Sequence, residues 1–146
     1  MIKQISQYLS VGLRHKLFFV SGQDHDINFA DIGFYLSKAI ENNLDNKHLS
    51  LFADERLEEL IKDNVISNPE IGKYVAIRNI GILFEPELKL DLRAKFDSWA
   101  KSYVLIVDAK EGMIINNIFY LASACNSSHS INLSEISHKT IYNEIS

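Results

Sequence analysis

The chain has 146 residues, 47% of them apolar, a net charge of −4 and a single cysteine, Cys125. That is apolar material enough for one domain over residues 1–146, with a core burying roughly 68–70% of the unfolded surface. Acids and bases are interleaved with no basic block to track a phosphate backbone, a lone Cys closes no internal disulfide, and no apolar run approaches the ~20 residues that span a bilayer.

Residues 2–13 carry Ile2, Ile5, Leu9 and Leu13 at three- and four-residue spacings, which predicts a leading helix with one apolar face. This N-terminal stretch holds no uninterrupted apolar segment of the signal-peptide kind, so a soluble cytoplasmic protein without a membrane partner is expected. Leu17-Phe18-Phe19-Val20 reads as a buried strand ending at Ser21-Gly22. A polar loop follows, then a helix with Asn28 as cap, Asp31 three positions on, and a face of Ile32, Leu36, Ala39 and Ile40.

Leu49-Ser50-Leu51-Phe52 reads as a second strand, followed by a helix over residues 53–65 with Leu57, Leu60 and Ile61 on its face. Tyr74-Val75-Ala76-Ile77 is a third strand, with a further apolar run at residues 80–84. Pro86 suits the first turn of a helix whose face is Leu88, Leu92, Phe96 and Trp99. Residues 103–107 form the clearest strand, residues 114–123 a helix, and residues 130–133 a fifth strand. The last dozen residues fit either strand or helix.

Strands and helices thus alternate about five times, and several strands are unbroken apolar runs. Both features predict an α/β fold of three layers, with a mostly parallel sheet of about five strands covered on both faces.

Ligands of such sheets bind beyond the carboxyl ends of the strands. The strand–loop–helix frame around Gly22 is therefore tested against a phosphate loop, G-x-x-x-x-G-K-[ST]. Counting from Gly22, the second glycine, the lysine and the hydroxyl would fall on Ile27, Asn28 and Phe29, and none matches. The loop instead carries Asp24, His25 and Asp26. A carboxylate about 4 Å from a phosphate charge costs ~1 kcal/mol in bulk water and ~4 kcal/mol at an effective dielectric of 20. The acid that holds magnesium at the end of a strand in such enzymes is also missing, because the third strand ends in Arg78-Asn79-Ile80-Gly81. The same residues exclude a phosphoacceptor receiver domain, which needs an Asp there.

The segments "LFFVSG" and "YVAIRNIGILFEPELKLDLRAKFDSWAKSYVLIVDAKEG", with their spacing, resemble the small P-loop protein of BREX-type bacteriophage-defence systems, a family similar to AAA-type ATPase cores. Members read as a strand with a phosphate loop, a strand running into an Asp-Asn-Ile-Glu-like sequence, a Leu-Phe-x-Pro-x-Leu-Lys segment and a strand ending near Gly. Here Arg78 and Gly81 stand where the family has acids, and Leu83 to Lys89 and Tyr103 to Gly112 match the later segments. The resemblance implies a P-loop-like domain that has lost its nucleotide site. It would work through other protein subunits of a defence or DNA-processing complex, with self-association left open and nucleic acid met only indirectly. No catalytic, cofactor-binding or metal-binding residue is assigned.

An enzymatic alternative is an atypical NTPase or a magnesium-dependent nuclease. For the nuclease, Glu87 and Lys89 form an E-x-K motif and Asp54 is the candidate earlier acid. The motif belongs on a strand, whereas Pro86 points to a helix with Glu87 and Lys89 outward. Asp24-His25-Asp26 lacks the distant partners a metal site needs. Cys125 and His129 lie four apart, and an inert buried Cys is the simpler reading. Phe18, Phe19, Phe84, Phe96, Trp99 and Phe119 fall on core-facing positions, while Tyr35, Tyr74 and Tyr142 are candidates for the surface. Arg14, Arg56, Arg78 and Arg93 are unranked candidates for an arginine finger.

Overall fold

Three apolar runs become neighbouring parallel strands in the computed structural model, which describes residues 1–21, 26–110, 112–121 and 129–142. They are β1 (Leu17–Ser21), β4 (Gly72–Arg78) and β5 (Val104–Asp108). With β2 (Phe29–Asp31) and β9 (His138–Tyr142) they form a sheet in the order β2-β4-β5-β1-β9, all parallel. The short β3 (Ile66–Asn68) pairs antiparallel with β4. The protein is α/β with a mostly parallel sheet.

Successive strand residues face opposite sides, and two apolar clusters result. On one face, Leu17, Phe19, Val75, Ile77, Leu105 and Val107 meet helices α2 (Ile32–Ile40), α3 (Leu49–Asp63) and α4 (Leu92–Ser102). On the other, Phe18, Val20, Ala76, Val104 and Ile106 meet Ile2 and Ile5 of α1 (Ile2–Leu9), together with Ile27. Burial on both faces explains why the strands read as unbroken apolar runs. The six aromatics expected in the core are all buried.

Several elements differ from the sequence reading. Residues 49–52 are the first turn of α3, not a strand. Leu49, Ala53, Leu57 and Ile61 form one buried stripe at four-residue spacing, while Leu51 points outward. The expected helix at 114–123 is, over its described residues, a hairpin of β6 (Met113–Ile115) and β7 (Ile118–Tyr120). Asn116 and Asn117, with φ of 51° and 62°, turn it, and two such residues between short strands are a hairpin signal. The strand at β8 (Ser130–Asn132) exists but pairs with β7 in a separate small antiparallel sheet. The fifth parallel strand is β9, which resolves the ambiguous tail over its described residues. Pro86 opens a 3-10 turn (Pro86–Leu88) instead of α4, which starts at Leu92 with the Asp91 carboxylate accepting from the Ala94 N–H at 3.1 Å.

Candidate functional site

The carboxyl edge of the sheet is where a ligand site belongs. Its order places β2 three strands from β1. That is roughly 14 Å at about 4.8 Å per strand. After β1 the chain enters β2 at the far edge, with Ile27, two residues before it, buried on the α1 face. The Asn28 N–H meets the Tyr74 hydroxyl at 3.4 Å. Helix α2 starts only after β2. The strand–loop–helix frame expected around Gly22 is therefore interrupted: the next helix amino terminus lies across the sheet from the end of β1. Asn28 is not the cap of α2. Gly22, Asp24 and His25 lie outside the described residues, and Asp26 is exposed.

Asp31 does three jobs at the start of α2. Its carboxylate accepts the Phe34 N–H at 2.9 Å and the Asn79 side-chain N–H at 2.9 Å, and pairs with the Arg78 guanidinium at 3.4 Å. The Phe34 amide, then the Asn79 amide, hold its carboxyl below the ordinary range against the opposing effect of partial desolvation, and Arg78 adds to the lowering. Asn79 has φ of 57°, in the left-handed region. Its backbone oxygen comes so close to α2 that a Cβ on Gly33 would lie 2.3 Å from it. The third parallel strand is thus stapled to the cap of α2 through Arg78 and Asn79. A cation occupies the strand end at which a magnesium-holding acid would be needed, and the adjacent helix terminus is capped by the Asp31 carboxylate, which takes its Phe34 N–H. At the end of β5, the Asp108 carboxylate accepts the Lys110 N–H at 3.0 Å.

The other candidates disperse. Glu87 and Lys89 flank buried Leu88 on a 3-10 turn, with Lys89 at φ of 51°, so E-x-K lies on neither the strand it requires nor the expected helix. Asp54 is bonded to Lys95 at 2.5 Å. Among the described residues no three His, Cys, Asp or Glu side chains converge to hold a metal ion. Cys125 lies outside the described residues, and the His129 ring sits edge-on to Phe84. Tyr35 is exposed, Tyr74 is buried contrary to expectation, and the Tyr142 side chain lies outside the described residues. Arg56 pairs with Glu59, and Arg93 donates to the backbone oxygens of Asn132 and Ser134, tying α4 to the small sheet.

Two polar clusters had no sequence signal, because their members lie far apart in the chain. Buried His15, just before β1, bonds through Nε2 to Asp97 of α4 at 2.5 Å, and Lys101 reaches the same carboxylate at 3.1 Å. His15 and then Lys101 hold the Asp97 carboxyl below its usual range. Both line a cavity of about 420 Å³ with Arg14, Arg93, Asp91 and Glu135, so charges of both signs face it. The second cluster joins α3 to α4. Lys95 bonds Asp54 and Glu58, and the other Glu58 oxygen accepts the Trp99 indole N–H at 3.0 Å. Burial of the Lys95 ammonium works against its charge, but the two carboxylates outweigh it and its pKa is raised.

Comparison with known protein families, curated proteins and solved structures finds no match to this chain. No helix among the described residues is long and apolar enough to cross a membrane.

Proposed function

We propose that the protein is a non-catalytic, P-loop-like docking subunit of a bacterial phage-defence or DNA-processing complex, without a competent nucleotide site. The carrying observation is the staple at the end of the third parallel strand. Arg78 stands in the acid's place and pairs with Asp31, and that carboxylate also caps α2. A magnesium–nucleotide complex placed there would meet a guanidinium where its metal needs an acid, and a carboxylate at the helix terminus where its phosphates need N–H donors. The separation of α2 from β1 supports the lack of a nucleotide site. The link to defence complexes rests on the resemblance carried by the Arg78–Gly112 stretch, with Leu83-Phe84-Glu85-Pro86-Glu87-Leu88-Lys89 at its centre.

The test is a titration of the purified protein with a fluorescent ATP analogue and magnesium. The expected result is no saturable binding tighter than about 1 mM. Saturable binding that disappears when residues 22–29 are replaced would overturn the proposal. Affinity capture from the native cell, with the products of neighbouring genes as the expected catch, tests the assignment to a complex.

A further inference from the structure

Ile40 at the end of α2, Leu49 at the start of α3, Leu44 between them, and Ile82 and Leu88 from the two 3-10 turns (Gly81–Phe84 and Pro86–Leu88) line one open groove of about 340 Å³. Leu44 is 59% exposed, a large aliphatic side chain held at the mouth of an apolar depression. Two further lining residues are charged, and both are acids: Glu85 and Glu87. Both are exposed, and neither has a hydrogen-bond or ion-pair partner for its carboxylate among the described residues. No basic side chain lines the groove. The negative end of the α2 dipole and the positive end of the α3 dipole meet here and offset one another. The two carboxylates therefore set the sign of the site.

We infer that this groove is a docking site for a segment of a partner protein presenting an aliphatic or aromatic anchor beside Lys or Arg. The inference rests on the docking-subunit reading and names the chemistry of the partner. An apolar anchor displaces water from Leu44 and Ile82, the apolar lining side chains that are not already buried, which provides affinity. Its basic neighbour meets Glu85 and Glu87 at the rim, which provides selectivity and rate of association. A segment carrying acids beside its anchor is rejected by the same two carboxylates. The leucine and the glutamates act separately, so each is open to its own substitution. All three are exposed, and replacing them leaves the core intact.

The experiment is selection of a random peptide-display library on the intact protein, followed by fluorescence anisotropy with the enriched peptides. Enriched sequences are expected to pair a Leu, Ile, Phe or Trp with Lys or Arg. Leu44→Asp is expected to weaken them about tenfold or more, the loss that follows from removing one leucine contact. Selection on the Glu85→Lys/Glu87→Lys variant is expected to enrich Asp and Glu in place of Lys and Arg. No enrichment, or enriched peptides indifferent to both variants, would overturn the inference. Sedimentation velocity is run alongside. A dimer abolished by Leu44→Asp would assign the groove to a second copy and equally overturn the partner chemistry. The nucleotide titration reads the docking-subunit proposal independently, so failed selection without nucleotide binding removes the groove alone.

Discussion

Gly33→Ala probes the staple at its tightest point. Gly33 is the second residue of α2, and a Cβ there would lie 2.3 Å from the Asn79 backbone oxygen, 2.5 Å from its Nδ2 and 2.6 Å from its Cγ. The closest of these is roughly 1 Å inside ordinary contact. The backbone oxygen belongs to a residue in the left-handed region just after β4, and the side-chain nitrogen is engaged with Asp31, so neither retreats freely. Overpacking of this kind costs about 1–3 kcal/mol. Loss of the Asn79–Asp31 hydrogen bond adds about 0.5–1.5 kcal/mol. Alanine's better helix propensity returns about 0.5–1 kcal/mol. The net expectation is a loss of about 2 kcal/mol, which at a slope of about 2 kcal/mol per molar lowers the urea midpoint by about 1 M. Asn79→Gly removes two of the three clashing atoms and suits the left-handed backbone, so Gly33→Ala/Asn79→Gly should recover part of the loss, a non-additivity readable in a double-mutant cycle. An unchanged or raised midpoint for Gly33→Ala would refute the reasoning, because helix propensity would then outweigh a contact that is not made.

Asp31 has a lowered folded-state pKa, so its contribution is fully present above its unfolded value of about 3.9 and is lost as pH falls through the folded value. Asp31→Asn keeps a competent cap but lacks the charge, so thermal denaturation should show it less stable than the wild type at pH 7, with a shallower loss on acidification and convergence with the wild type below the folded value; equal acid slopes would contradict this. Glu58→Ala removes the acceptor of the Trp99 indole N–H and one of two carboxylates on Lys95. It should destabilise by about 1–2 kcal/mol in chemical denaturation, and coupling with Lys95→Met near zero would show that the cluster does not act as a unit.

The staple and the groove were legible to different degrees. Arg78 at the end of a strand was readable, because a buried apolar run stopping at a charge marks where the strand leaves the core. Its partner was not. Asp31 was read as the companion of an Asn28 cap, since nothing local signals a three-residue strand whose support is its pairing with Ala76, Ile77 and Arg78. Buried Leu88 between outward Glu87 and Lys89 was expected on a helix, and the burial is there but on a 3-10 turn. The groove beside them needed the end of α2 and the start of α3 brought to the same place. The run at 49–52 was misread because four apolar residues fit a buried strand and a helix turn alike, and only the stripe continuing to Leu57 and Ile61 separates them. The hairpin at residues 113–120 carries its signal locally, in the Asn116-Asn117 pair between two short apolar runs.

By itself the sequence determined the α/β class, the three central strands, the burial of the six aromatics and the lack of a phosphate-loop pattern after β1. Each of these is written in composition, in a run of neighbouring residues or in a count along the chain. Tertiary structure alone decided the strand order, the crossing that carries the chain from β1 to β2 before α2 begins, and the meeting of Asp31 with Arg78 and Asn79. The physical reason is burial on both faces. It strips the strands of the alternation that would mark their sides, and leaves their register and neighbours to be chosen by packing between distant segments.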